Sequence, residues 1–139
     1  PRQFGVSVVL DVWQKEPSIN RELVTLCDIA TPHIAGYSLE GKVNATQISV
    51  QNLAHHFNIE QLKSFKIDIE RVVEPQEWEF KGESPLERVS TFLLNRFDIV
   101  EESQKLKGNI EGFEQLRSSY RYRRELPMST ASIIGGIIK

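Results

Sequence analysis

Hydrophobic positions at the start of the chain run almost without a break. Val6-Ser7-Val8-Val9-Leu10 is short, apolar and rich in β-branched residues, the pattern of a strand covered on both faces, as in a parallel sheet. Val12 to Pro17 leaves it as a loop, because Pro17 has no N–H and prevents a helix from running through. Ser18 or Asn20 can cap a short helix containing Arg21, Glu22, Leu23, Val24 and Leu26, and Asp28 to Thr31 predicts the next short strand. Strand, helix, strand is the rhythm of a parallel βαβ unit.

From Ser38, a good N-cap, the spacing changes to that of a helix reaching Phe57, with Leu39, Val43, Val50, Leu53, Ala54 and Phe57 as its buried stripe. Gly41 near its start costs about 1 kcal/mol against alanine, a cost that is tolerable if packing needs a close approach there. His55 and His56 are adjacent and point in different directions, so they read as surface or interface residues. Beyond Asn58 the period becomes two. Phe65, Ile67 and Ile69 alternate with Lys66, Asp68 and Glu70, predicting a half-buried strand that Val72-Val73 extends, and Trp78 and Phe80 repeat the alternation before a turn at Lys81-Gly82-Glu83.

Ser84-Pro85-Leu86-Glu87 combines an N-cap, a first-turn proline and the glutamate of a capping box. Leu86, Val89, Leu93, Phe97 and Val100 then follow at helical spacing, and Asn109 opens a further helix with Phe113, Leu116 and Tyr120 on one face. Ser129 to Lys139, small and β-branched apart from Gly135-Gly136, predicts a last strand. The fold class expected is α/β over residues 1–57, including the long helix 38–57, followed by a small α+β unit over 58–139. So short a unit buries little core of its own and gains from a partner surface.

With 139 residues, 40% of them hydrophobic, 26% charged and a net charge of -2, the chain has the composition of a globular protein with no overall basic excess for nucleic acid. Locally, Arg121-Tyr122-Arg123-Arg124 is basic: either a solvated face or an anion-binding patch. Cys27 is the single cysteine, which excludes an internal disulfide, favours a reducing, cytoplasmic setting, and fits a small buried residue better than a nucleophile. No apolar run approaches the ~18 residues that cross a bilayer, and no signal-peptide pattern is present. Pro1 leads into a core-type strand within six residues, so the chain reads as the middle of a protein rather than its beginning.

Chemistry concentrates in Asp28-Ile29-Ala30-Thr31-Pro32-His33-Ile34-Ala35-Gly36-Tyr37. Pro32 biases Thr31 to an extended conformation, and Gly36 lets the backbone bend or come close to a ligand. His33 at the end of a strand suits proton transfer near neutral pH, although a lone loop histidine is also a common structural or solvated residue. Asp11 ends the first strand, where open α/β sheets place ligand-binding groups; a turn-forming or capping carboxylate is the plainer alternative.

Leu10-Asp11-Val12-Trp13 with Glu16-Pro17, followed by Thr31-Pro32-His33-Ile34-Ala35-Gly36, resembles the final part of the D-isomer-specific 2-hydroxyacid dehydrogenases. The continuation through Tyr37-Ser38-Leu39-Glu40-Gly41-Lys42 narrows the likeness to a branch acting on a small phosphorylated 2-hydroxy acid. Phe113-Glu114-Gln115-Leu116-Arg117, Tyr120 and Arg123-Arg124-Glu125 resemble that branch's additional C-terminal dimerisation domain. The likeness is strong over residues 8–47 and around 113–125.

It implies that residues 1–57 are the end of a doubly wound parallel-sheet NAD-binding unit with a long linking helix. Residues 58–139 would be an α+β dimerisation domain forming a homodimer. It also implies His33 as proton donor and acceptor, Glu16 as its carboxylate partner, Asp11 and Gly36 as contacts to NAD, and Tyr37 as a contact to substrate. No metal, nucleic acid or membrane is implied. The family also uses an upstream arginine and a Gly-rich dinucleotide loop, and no Gly-x-Gly-x-x-Gly occurs here. By itself the chain is therefore expected not to turn over. The alternatives are a non-catalytic dimerisation fragment or a sister dehydrogenase with another 2-hydroxy acid.

Overall fold

A computed structural model of the chain describes residues 5–70 and 79–138. The βαβ rhythm is present: β1 (Val9–Leu10) and β2 (Ile29–Ala30) pair in parallel, Val9 opposite Ile29 and Leu10 opposite Ala30, joined through α1 (Arg21–Leu26). Asn20 is the α1 cap, its side chain accepting from the Leu23 N–H. The first strand is shorter than its apolar run, and it is not covered on both faces. Val8 and Leu10 pack on the core, whereas Val6 and Val9 are exposed, because the described elements cover only one face of the two-stranded sheet.

Two compact units divide the chain. The first comprises residues up to Ala35 together with Phe80–Arg121; the second comprises Gly36–Glu79 with Tyr122–Ile137. The core of the first unit gathers Trp13, Ile19, Val24, Cys27 and Ala30 with Leu106, Ile110 and Phe113. Cys27 is buried there, as its setting predicted.

Helices α3 (Pro85–Arg96) and α4 (Ile99–Gly108) replace the single helix expected through Val100. The break falls at Asp98, whose carboxylate caps α4 by accepting from the Glu101 N–H. Ser84 caps α3 as predicted, but Leu86 stays exposed and the buried positions are Val89 and Phe92, with Phe80 stacked on Phe92. Helix α4 covers the end of β2: Ala30 N–H donates to the Ser103 hydroxyl, and Lys107 Nζ donates to the carbonyls of Cys27 and Asp28. Side chains thus satisfy the strand edge, which no further strand among the described residues pairs. Asn109 opens a 3-10 turn, Ile110–Gly112, leading into α5 (Phe113–Ser118).

In the second unit α2 spans Leu39–His56 behind its predicted cap, Ser38. Ala54 is buried, but Leu53 and Phe57, expected on the buried stripe, are exposed. Gly41 has the reason its cost demanded: a Cβ there would lie 2.6 Å from Ser38 Oγ and 3.3 Å from Glu125 Oε1.

Two expected strands are corrected here. Residues 65–70 keep the predicted alternation of half-buried and exposed positions, yet form no ladder. Their backbone is satisfied by α2 instead, with Ile67 N–H donating to Gln47 Oε1 and Phe65 carbonyl accepting from Gln51 Nε2. The expected extension at Val72-Val73 and the Trp78 position lie outside the described residues. The last segment, predicted as a strand, is helix α6 (Met128–Ile138). Its less exposed positions, Thr130, Ile134 and Ile137, recur at spacings of four and three rather than two. That periodicity overrides the β preference of its isoleucines. No helix among the described residues is long and apolar enough to cross a membrane.

Candidate active site

The loop after β1 and the loop after β2 meet through Asp11. One carboxylate oxygen accepts from the Thr31 hydroxyl at 2.7 Å and the Ile34 N–H at 2.8 Å, and the other accepts from the Ala35 N–H at 3.0 Å. Such a carboxylate fastens three successive points of the histidine loop. Ile34 is buried and anchors the same turn. Held between these bonds, His33 adopts a left-handed conformation with φ of 57°, a region non-glycine residues occupy only when their surroundings impose it.

Trp13 supplies the second tie. Its indole Nε1 donates to the Thr31 carbonyl at 2.8 Å within the core, and its own N–H donates to Glu16 Oε1 at 2.9 Å. The other oxygen of Glu16 lies 2.8 Å from His33 Nδ1. Because an ionised carboxylate can only accept, Nδ1 carries the shared hydrogen, and Nε2 is the nitrogen left for proton exchange. The histidine side chain is 38% exposed and that of Glu16 18%, so the carboxylate is the more enclosed member.

Burial pushes the Glu16 carboxyl up, but the hydrogen bonds from His33 and the Trp13 N–H, with the positive charges of His33 and Arg117, outweigh it and leave it below the ordinary carboxylate value. Glu16 and His33, expected as partners from the resemblance, thus lie within hydrogen-bond distance of one another. Asp11 sits against the same loop, doing the turn-organising work that was its plainer alternative. Trp13 and Arg117 were not singled out from sequence. The Trp13 position inside the Leu10-Asp11-Val12-Trp13 motif was the available signal, whereas Arg117 stands in the motif likened to a dimerisation domain, which does not connect it to Glu16.

Gly36 and Tyr37 belong to the second unit. A Cβ at Gly36 would meet nothing within 4 Å, so open space adjoins its backbone. The Tyr37 ring is edge-on to Tyr122 at 5.8 Å, and Lys42 Nζ lies 3.9 Å from its centroid. Arg124 is held by Glu40, at 2.6 Å from its Nε, and by the Glu70 carbonyl, at 2.6 Å from Nη2. Glu125 accepts from the Ser38 hydroxyl at 2.5 Å, and its N–H donates to Glu40. Burial raises the Glu40 carboxyl, but the Glu125 N–H and the Arg124 guanidinium more than offset this and lower it.

No protein-family model matches the chain. Curated relatives do, and they are dehydrogenases. Specifically, the chain is similar to the erythronate-4-phosphate dehydrogenases. It is 39% identical to that of Bacteroides thetaiotaomicron over 118 residues, which are 84% of this chain and 31% of the relative. It is 40% identical to that of Wigglesworthia glossinidia brevipalpis over 126 residues, 86% of this chain and 32% of the relative. For Acinetobacter baylyi the identity is 35% over 130 residues, 88% and 36% of the two chains. The chain spans about a third of the length of the curated relatives it matches. The resemblance to the C-terminal portion of such an enzyme, read from its motifs, is borne out.

Proposed function

We propose that this chain supplies the acid–base part of a cytoplasmic NAD-dependent dehydrogenase that oxidises 4-phospho-D-erythronate at its 2-hydroxyl, within pyridoxal phosphate (vitamin B6) biosynthesis. The observation that carries the proposal is the 2.8 Å bond between Glu16 and His33 on loops ending two parallel strands.

In the oxidation direction His33 Nε2 takes the proton of the 2-hydroxyl as that C–O bond becomes a carbonyl, and in reverse it returns it. Glu16 stabilises the imidazolium formed and fixes the ring's orientation, while Asp11 holds the loop from the opposite side. Acid–base help of this kind contributes roughly 10²–10⁴ in rate. The hydride leaves from the same carbon, and bound NAD would supply its acceptor. Asp11 and Gly36 are the residues that would hold it. Three of the roughly four acceptor positions of the Asp11 carboxylate are occupied, leaving one for an amide donor, and the Gly36 backbone is approachable. Tyr37 contacts substrate, residues 1–57 form the end of the dehydrogenase unit, and residues 58–139 form the dimerisation domain of a homodimer. This chain alone is inactive in this reading, since the family's arginine and Gly-rich loop lie in other sequence. The lack of any Gly-x-Gly-x-x-Gly is what favours the second reading, a non-catalytic dimerisation fragment.

In the full-length enzyme His33→Ala is expected to abolish NADH formation from 4-phosphoerythronate while NAD binding persists. Retained turnover would overturn the assignment.

A further inference from the structure

The basic run Arg121-Tyr122-Arg123-Arg124 invites the idea of a phosphate site, but Arg124 is already committed. Glu40 and the Glu70 carbonyl occupy its guanidinium, and Glu40 is itself held ionised by that pairing and by the Glu125 N–H. Two of its five donors are used in this way and the Glu40 carboxylate offsets its charge, so Arg124 serves first to hold its own unit together.

Lys42 stands differently. It lies in the first turns of α2, half-buried, with its ammonium 3.9 Å from the centre of the Tyr37 ring and 5.9 Å from that of Tyr122. Among the described residues no carboxylate or carbonyl accepts from it, and its partners are the two ring faces. Ring faces attract the cation only weakly at an exposed site, and they leave the three N–H donors of the ammonium available to a ligand. The nearby carboxylates do not compete for it: Glu40 is bound to Arg124, and Glu125 accepts from Ser38. The two tyrosines hold the ammonium in place, and Tyr122, 50% exposed, keeps its surroundings open to solvent.

We propose that Lys42, set against Tyr37 and Tyr122, is the residue that binds the phosphate group of a small phosphorylated ligand. An ammonium is a compact point charge that a phosphate dianion meets with charge-assisted hydrogen bonds, stronger than any it makes to a ring. The assignment rests on the reading that Tyr37 faces substrate, and it gives that reading a chemical reason: recognition of the phosphorylated end beside the tyrosine.

The test is a titration of the 139-residue chain, followed by NMR at the Lys42 ε-methylene and the Tyr37 ring, with methyl phosphate, inorganic phosphate and sodium chloride at matched ionic strength. Saturable shifts with methyl phosphate, lost in Lys42→Met and kept in Lys42→Arg, are expected, with chloride giving none. Stronger saturation by methyl phosphate than by inorganic phosphate identifies a monoester site; equal saturation by both identifies a general phosphate site, and either supports Lys42. No saturable shift, or shifts that survive Lys42→Met with the Tyr37–Tyr122 ring contact intact, would overturn the proposal. Because nothing here depends on turnover, failure of the dehydrogenase assignment and failure of the Lys42 assignment are separable.

Discussion

Trp13 donates its indole N–H to the carbonyl of Thr31 at 2.8 Å, and this one buried bond joins the loop carrying Glu16 to the loop carrying His33. Replacing Trp13 with Phe keeps a large ring in the core but leaves a buried carbonyl without its donor. Such a loss costs about 1–3 kcal/mol. Urea denaturation should show that decrease, and the His33 Nδ1 proton signal should weaken as the two loops drift apart. A Trp13→Phe chain with wild-type stability and an unchanged imidazole signal would show that the bond does not set the spacing.

Asp11→Asn tests the other tie. An amide can still accept at one oxygen, but its NH2 group faces an N–H or hydroxyl that an oxygen used to receive. One of the three bonds to Thr31, Ile34 and Ala35 becomes a donor–donor clash. The expected result is faster hydrogen exchange at the Ile34 and Ala35 amides and a stability loss of about 1–3 kcal/mol. Unaltered exchange at both amides would count against the loop-fastening role.

The acid limb of stability should carry Glu16. Its folded carboxyl lies below the ordinary value, so the stabilisation is present above the unfolded value and is lost as pH falls through the lower folded one. Glu16→Gln should flatten that part of the acid denaturation profile. Arg117→Gln removes one of the charges that lower Glu16, and should move its carboxyl ¹³C titration midpoint upward. A midpoint that stays put would remove Arg117 from the account.

Gly41→Ala sets two effects against each other. Alanine favours a helix by about 1 kcal/mol, yet the added methyl falls 2.6 Å from Ser38 Oγ, which both caps α2 and donates to Glu125. Losing a cap alone costs about 1 kcal/mol, and the Glu125 bond goes with it. Net destabilisation in thermal unfolding is expected; an alanine chain that melts higher would mean that Ser38 moves aside freely.

Sedimentation addresses the homodimer through residues 58–139. A dimer is expected at micromolar concentration, and a monomer there would refute it.

Much of the framework was legible because it is local. Asn20, Ser38, Ser84 and Asn109 sit where their side chains cap a turn, and each does so. The parallel pairing around α1 followed from the apolar runs at either end. The meeting of Glu16 with His33 was anticipated from a motif, not from periodicity. What sequence hid was the identity of partners. Residues 65–70 alternate like a strand, but whether a strand or the amides of Gln47 and Gln51 receives their backbone cannot be seen in an alternation. The isoleucines of α6 point to a strand by type, but the spacing of Thr130, Ile134 and Ile137 is that of a helix face, and burial follows the spacing. Arg117 acts on Glu16, and Tyr122 reaches Tyr37 and Lys42, across sequence separations that no local pattern bridges.

The bond between Ser38 and Glu125 joins positions 87 residues apart. Together with Arg124 on Glu40, it makes the stretch after Arg121 a hasp over the N-terminal end of the α2 helix. A helix end that would otherwise fray can open only if the far stretch lets go at the same time. Amide exchange at Leu39, whose N–H donates to the Arg123 carbonyl, should therefore report on the integrity of the chain near residue 125. A protease cut between Tyr122 and Pro127 would be felt first at Tyr37 and Lys42, where the ring and the ammonium depend on that same closure.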